Sequence, residues 1–348
     1  MSDFLIFILV IGGLIIGHES GHFFIARLLG VRVDEFGLGF PPRMLTLFHA
    51  AGTRFSLNWL PFGGFVRIAG ENDPEVEGGF AISSKRVRTA VLLAGPFANV
   101  LLALLAFTFA FRFAAPDNEK VLITNVLENT PAYEAGILPG DIVVFVDRVE
   151  ITTFESMVEA IAERIGRQTQ LTIERDGELE TLALIPRQIY PDDQGPVGVI
   201  LGHPTSEISW GQAINFGYRS TAIQFSQIIL LPGRLISGEI EPDQARISGL
   251  KGMYDMLAWA GAIDRSSQRP FLTLNLIGVI SAGLAIANLL PFPALDGGRL
   301  IFVFLEFVLG KRINPRYEGL AHTIGFAVLI AILIYVNFLD FVNPILLP

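Results

Sequence analysis

His18-Glu19-Ser20-Gly21-His22 sets two imidazoles and a carboxylate inside the otherwise apolar run 4–30. On a helix, residues four apart share a face, with Cβ atoms about 5–6 Å apart. That lets both imidazoles reach one zinc ion at about 2.0–2.1 Å. Glu19 projects about 100° away from His18, since a helix has about 3.6 residues per turn. It can then touch a metal-bound water without being a ligand, as a general base does. Ser20 and Gly21 are small and permit close approach of neighbouring backbone. The alternatives are chance or a buried hydrogen-bonded cluster. Only five histidines occur in 348 residues, and ionisable groups at membrane depth are costly and mark function.

Catalytic zinc uses three protein ligands plus water, so a third must come from elsewhere. His49 and His203 lie in loops and His322 opens the last apolar run; each reads as a surface or interfacial histidine. A better candidate lies in "NLLPFPALDGGRL". Pro291 and Pro293 cannot continue a helix, and Pro291 frees the carbonyl of Ala287. Gly297 and Gly298 add backbone freedom. Unwound backbone at membrane depth is tolerated only when buried in protein or lining a cavity. Asp296, at the end of this stretch, is a carboxylate suited to zinc; the alternative is a turn residue or N-cap for a helix 299–309. Asn288 can hydrogen-bond substrate backbone or a tetrahedral intermediate, or can satisfy carbonyls freed by the prolines.

These residues need membrane helices to hold them. The chain is 51% hydrophobic with a mean hydropathy of +0.52, which points to an integral membrane protein. No cysteine is present, which excludes disulfides and cysteine-ligated metal. No basic tract suggests nucleic acid. Runs 4–30, 89–115, 270–292 and 322–343 are long enough to span. Asp3, with no basic residue before the first run and no convincing cleavage site after it, speaks against a signal peptide. Arginines and lysines gather in 31–88 and 298–321, so both face the cytoplasm. The N-terminus, the acidic region 117–190 (14 acidic and 6 basic side chains, net −8) and the C-terminus then lie outside. Residues 205–235 read as an amphipathic helix at the outer interface. Pro96 kinks the second span, Asn99 packs between helices, and Arg112 snorkels at the outer end.

Residues 119–190 change character, alternating strand-like runs with one helical stretch, 154–165. Gly136, Pro139 and Gly140 mark a turn before strand 142–146, and "DG" at 176–177 is a hairpin signal. "TPAYEAGILPGDIVVFVD" resembles the PDZ pattern of bacterial proteases. That resemblance implies a domain that can accept an extended peptide as an added strand, although no clear carboxylate-binding loop is legible. A structural β domain that binds no peptide is the alternative.

HExxH in the first span, "NxxPxPxLDGG" in the third and a PDZ-like region between spans two and three together resemble the site-2 protease family. The similarity covers nearly the whole chain and is strongest to the bacterial PDZ-containing branch of RseP and RasP. One PDZ pattern is found rather than the two of the RseP type. The resemblance implies intramembrane proteolysis with one catalytic Zn2+ held by His18, His22 and Asp296, and Glu19 as base. It implies an inner-membrane location and pre-cleaved single-span substrates, such as membrane-anchored anti-sigma factors and remnant signal peptides. Residues 54–68, "RFSLNWLPFGGFVRI", alternate like a strand and resemble the family's membrane-reentrant β region, in which Gly63, Gly64 and Phe65 would meet an unwound substrate together with Asn288 and Pro291. An ordinary cytoplasmic hairpin is the alternative.

The expected architecture is a multi-pass α-helical membrane protein with four transmembrane helices, a membrane-associated β region and one inserted extracytoplasmic PDZ (α+β) domain. Its parts are helix 1 at 1–30, the cytoplasmic-side β region at 31–88, helix 2 at 89–115 and the PDZ domain at 119–190. An extracytoplasmic linker with the interfacial helix follows at 191–268, then helix 3 at 269–297, a cytoplasmic loop at 298–321 and helix 4 at 322–343. For His22 and Asp296 to meet, the first and third spans must run the same way, which excludes a fifth span at 209–231. The competing class is a non-catalytic PDZ scaffold with a structural or vacant metal site; a glutamate between the histidines argues against it. A metal transporter would need polar residues along several spans, and spans two and four have almost none.

Overall fold

The computed structural model describes residues 3–344, apart from 72, 74, 192, 193, 242–245, 247, 268 and 269. The chain divides into two compact units, Met1–Arg112 with Ser209–Pro348, and Phe113–Ile208.

In the first unit, α1 (Asp3–Leu28) is an almost wholly apolar helix that buries His18 and His22. Next, β1 (Val33–Ala50) and β2 (Thr53–Ile68) form one hairpin, bent so that four runs lie side by side in the order 43–50, 53–58, 33–38 and 64–68. Gly37, for example, lies opposite both Ser56 and Phe65. Buried Glu35 pins this arrangement. It accepts two bonds from the Arg43 guanidinium, at 3.0 Å each, and one from Ser56 Oγ at 2.8 Å. Run 64–68 is thereby left as an edge.

Helix α2 (Lys85–Ala114) contains Pro96 and starts one turn before the apolar run. It runs opposite to α1. A Cβ on Gly21 would strike the Ala94 carbonyl at 2.2 Å, and one on Gly17 would strike Leu102. Small residues on α1 thus let the two backbones touch, as helix pairs in lipid commonly do.

The second unit holds β3 (Ala115–Pro116), β4 (Val121–Val126), α3 (Pro131–Glu134), β5 (Ile142–Val146), β6 (Val149–Glu150), α4 (Phe154–Ala162), β7 (Thr169–Arg175), β8 (Glu178–Leu184), β9 (Val199–Gly202) and β10 (Thr205–Ser206). Its main sheet follows β8-β7-β5-β4-β9, with β6 beside β5. Asp176 and Gly177, both at positive φ, turn β7 into β8. Thr153 and Ser156 form a capping box at the start of α4. The core is apolar, with Ile123, Leu171, Ile173 and Met157 among its buried members. The unit extends beyond residue 190, because β9 pairs with β4 as the terminal strand of the sheet. An apolar groove of about 230 Å³ lies along α4 and β9, lined in part by Met157, Ile161, Val199 and Leu201.

Back in the first unit, α5 (Trp210–Ile236) is capped by Ser209 and Gln212. A helix lying flat on a membrane surface would cross α2 at one level; α5 instead follows α2 in the opposite direction. Phe216 stacks on Phe111, a Cβ on Gly217 would strike Thr108, and Phe225 packs on Ala103, Phe107 and Ala282. The cause is the buried series Ala213, Gly217, Thr221, small residues at four-residue spacing that admit another helix. Arg112 lies over the Trp210 ring, 5.3 Å from its centroid.

Helix α6 (Leu250–Ser267) falls where only a linker is expected. Asp340 accepts the Gly249 and Gly252 amides at 2.8 and 3.0 Å and pairs with Arg246, which satisfies the first amides of α6. Leu257 then packs on Phe7 and Ile11 of the first helix.

Helix α7 (Phe271–Leu289) stops before Pro291, α8 (Asp296–Leu309) replaces the first half of the expected 298–321 loop, and α9 (Pro315–Val342) is the last described helix. Leu276 and Ile280 join Phe7 and Ile11 in one cluster, and further along both helices Asn288 shares a cavity with His18 and His22, so α1 and α7 run in the same direction, as the sequence reading requires. Among the described residues, four helices are long and apolar enough to cross a membrane: Asp3–Leu28, Lys85–Ala114, Phe271–Leu289 and Tyr317–Val342. The chain therefore fits a multi-pass membrane protein, and α5 is not among the four.

Candidate metal centre

His18 and His22 emerge one turn apart on the buried face of α1, with their Nε2 atoms 3.1 Å apart. Asp296 arrives from the other end of the sequence, its Oδ2 3.2 Å from each of these nitrogens. Three ligand atoms thus form a nearly equilateral triangle. The orientation of His22 is fixed from behind, where its Nδ1 lies 2.8 Å from the Val91 carbonyl. That carbonyl can only accept, so Nδ1 carries the proton and Nε2 turns a lone pair inward. Behind His18, the Asn99 amide lies 3.3 Å from Nδ1. Gly95 forms the floor between them: a Cβ there would stand 2.3 Å from His22 Nε2 and 2.7 Å from His18 Nε2.

Asp296 is delivered by broken helix. After α7 the chain turns through Leu290–Leu295, and Asp296 is the first residue of α8. It does not cap that helix; the cap position is Leu295, which makes no side-chain cap bond. The two glycines that follow let the turn fold onto the new helix. A Cβ on Gly297 would meet the Leu290 carbonyl at 2.2 Å, and one on Gly298 the Phe292 carbonyl at 2.3 Å.

Glu19 points from α1 to the sheet edge, where its Oε2 accepts the Val66 amide at 3.0 Å. A cavity of about 260 Å³ is lined by both histidines, Glu19, Asp296, Phe65, Asn288 and the Glu71–Arg299 ion pair.

Two histidines on one helical turn, a distant carboxylate and an adjacent glutamate agree with the sequence comparisons. The model of the family described as "Peptidase family M50" matches residues 6–332. The chain belongs to that family. It is 27% identical to the zinc metalloprotease RasP of Oceanobacillus iheyensis, covering 98% of this chain and 99% of that protein. It is equally similar, at 27%, to RasP of Geobacillus kaustophilus, covering 98% of each. A Clostridium perfringens protein named "Putative zinc metalloprotease" is 30% identical over 97% of this chain and 98% of its own. This M50 member is accordingly a site-2 protease-type zinc metalloprotease.

The residues of this M50 protease fit zinc. A tetrahedral ion with bonds of about 2.0–2.1 Å sets its ligand atoms roughly 3.3 Å apart, close to the 3.1–3.2 Å seen here. Asp296 Oδ2 is buried and has no hydrogen-bond partner among the described residues. Three inward lone pairs without a proton or cation between them would repel one another, whereas a cation satisfies all three. An imidazole that gives Nε2 to a metal carries its proton on Nδ1, which requires Asn99 to turn its amide oxygen towards His18. Asn99 Oδ1 is buried and otherwise without a partner among the described residues.

The other sequence candidates separate. Phe65 and Asn288 line the cavity. Gly64 lies against α1, where a Cβ would approach Ile16 and Glu19 at 3.6 and 4.0 Å. Gly63 is buried at φ +84° just before the edge run. Pro291 is exposed in the turn and does not border the cavity. The Ala287 carbonyl freed by Pro291 is taken by the Leu290 amide, while Asn288 Nδ2 bonds the Leu284 carbonyl at 3.0 Å. His49 sits exposed in the hairpin, and His203 is half-buried, stacked on Phe154 beside the Lys120 carbonyl. His322 corrects the expectation of a surface or interfacial residue, because it is buried against the turn that carries Asp296. Asn99, Gly95 and the Val91 carbonyl were missed as site components. "GPFAN" one helix away was the only signal, and its facing depends on packing.

Proposed function

We propose that this zinc metalloprotease hydrolyses peptide bonds within or near transmembrane segments of single-span membrane proteins. One Zn2+ would be held by His18, His22 and Asp296. The observation that carries the reading is the triangle of three ligand atoms with Glu19 on the same cavity. A bound zinc supplies Lewis acidity, which makes water nucleophilic near neutral pH and polarises the scissile carbonyl. Glu19 takes the proton of the attacking water on its carboxylate and delivers it to the departing amide nitrogen. The C–N bond breaks, and a carboxylate and an amine result. Asn288 would hydrogen-bond the substrate backbone or the developing oxyanion.

A helical substrate hides its amides, so the cleaved segment must unwind. Run 64–68 offers an edge to receive it, with the Val66 amide directed out of the sheet at Glu19. An added strand replaces the backbone bonds that unwinding removes. Gly63, Gly64 and Phe65 then border the bound segment. Pro291 acts through the turn it creates.

Residues 113–208 are read as one PDZ domain. Its support is the edge position of β9 beside α4 and the apolar groove they share, a setting for strand addition by an extended peptide. On the lysine and arginine bias, this domain and both termini face outside an inner membrane. There the domain would select or exclude substrates by their outer parts, favouring anti-sigma-factor-type proteins and remnant signal peptides already trimmed by another protease.

The test compares wild type with Glu19→Gln on a single-span reporter in detergent, zinc content being measured on both. A loss of about 10²–10⁴-fold in cleavage at equal zinc is expected for removal of a general base. Equal cleavage by the two proteins would sink the mechanism.

A further inference from the structure

His322 sits on the final long helix, far in sequence from the metal centre, yet it faces the broken turn between α7 and α8. Its Nδ1 accepts the backbone amide of Ala294 at 2.9 Å. Ala294 is one of the described non-glycine residues in the left-handed region, at φ +84°, a conformation that surrounding contacts must hold in place. Neither regular helix offers this half-buried amide a partner, and an amide withdrawn from water without one is costly. The same helix presses the turn from a second point, since a Cβ on Gly325 would stand 2.4 Å from the Pro293 carbonyl. Ala294 is two residues before Asp296, and both border the catalytic cavity.

We propose that His322 is a positioning residue for the metal centre. By accepting the Ala294 amide it locks the turn that presents Asp296 to His18 and His22. This rests on the reading of Asp296 as a zinc ligand. Outer partners that orient ligands typically change metal affinity by about 10–100-fold when removed. The role requires an acceptor at the Nδ1 position, not merely a ring. An asparagine carries its Oδ1 near that position; a phenylalanine keeps the ring and removes the acceptor.

The experiment measures zinc affinity by chelator competition on purified full-length protein, for wild type, His322→Asn, His322→Phe and Asp296→Ala. It adds kcat and KM on the single-span reporter. Expected are a zinc affinity about 10–100-fold weaker for His322→Phe, a lower kcat at unchanged KM, and recovery of most of both losses by His322→Asn. Wild-type affinity in His322→Phe overturns the proposal, as does His322→Asn behaving no better than phenylalanine. In apo wild type labelled with 15N-histidine, the resonance absent from His322→Asn must report a ring protonated at Nε2 with Nδ1 accepting. A proton on Nδ1 overturns the proposal without any need for the phenylalanine variant to fold. Asp296→Ala separates the two readings: zinc retained there refutes the ligand assignment itself, whereas zinc lost there but unaffected in His322→Phe refutes only the role of His322.

Discussion

The two halves of the metal centre are built in opposite ways. The histidines stand on an unbroken helix, where four-residue spacing alone sets them side by side. Asp296 stands at the end of a turn that two prolines break, two glycines compact and a histidine from another helix holds. A helix holds its ligands through its own backbone bonds. A turn of this kind has few, so its accuracy is supplied by distant contacts. The first half should tolerate small perturbation away from its face, and the second should not.

Removing a ligand tests the halves at their strongest. Asp296→Ala and His22→Ala should each lose zinc and fall below detectable cleavage. A variant that keeps stoichiometric zinc, measured by plasma emission on purified protein, would remove that residue from the centre. Next comes one methyl group on each side. Gly297→Ala forces a Cβ to within 2.2 Å of the Leu290 carbonyl, whereas Gly13→Ala on α1 meets nothing within 4 Å. The first should abolish or nearly abolish zinc binding. The second should leave zinc and activity unchanged and alter stability by no more than about 1 kcal/mol. Equal outcomes in zinc titration and thermal unfolding would erase the contrast. Asn99→Ala is expected to weaken zinc by about 10–100-fold without disturbing the fold. This makes even the regular half dependent on one partner, and chelator competition measures it.

What could be read from the sequence follows the same division. "HESGH" and "NLLPFPALDGG" are local patterns, so their chemistry was legible, as were the four apolar runs and the "DG" hairpin. The partners that orient them were not. His322 looked like the start of a span, because nothing within its own segment tells which neighbour it faces. Helix α6 was hidden by its modest apolarity and by a cap, Asp340, about 90 residues away. Strand β1 was obscured by Gly37, Gly39, Pro41 and Pro42, which punctuate a run that its partner nevertheless pairs. β9 is only four residues long after a Gly-Pro stretch, so the unit looked complete at 190.

The smallest effect lies in the other unit and provides a control for the comparison. The Asp147 carboxyl is held below its ordinary value by the Gln170 amide and then by Arg164. Its contribution to stability is therefore present above the unfolded carboxylate pKa of about 3.9. It is lost as pH falls through the depressed folded value. Amide protection of β7 in wild type, corrected for intrinsic exchange, should fall below about pH 4, and Asp147→Asn should remove that part of the acid dependence while zinc binding stays unchanged. A pH profile identical in the two proteins would contradict it.

The central claim is that His18, His22 and Asp296 hold one ion together. X-ray absorption at the zinc edge, on purified protein loaded with one equivalent, tests it most directly. The predicted spectrum contains two imidazoles with the remaining ligands oxygen, and neither His22→Ala nor Asp296→Ala, both of which should lose the ion, reproduces it. A wild-type spectrum without two imidazoles, or one that neither substitution alters, would contradict the account.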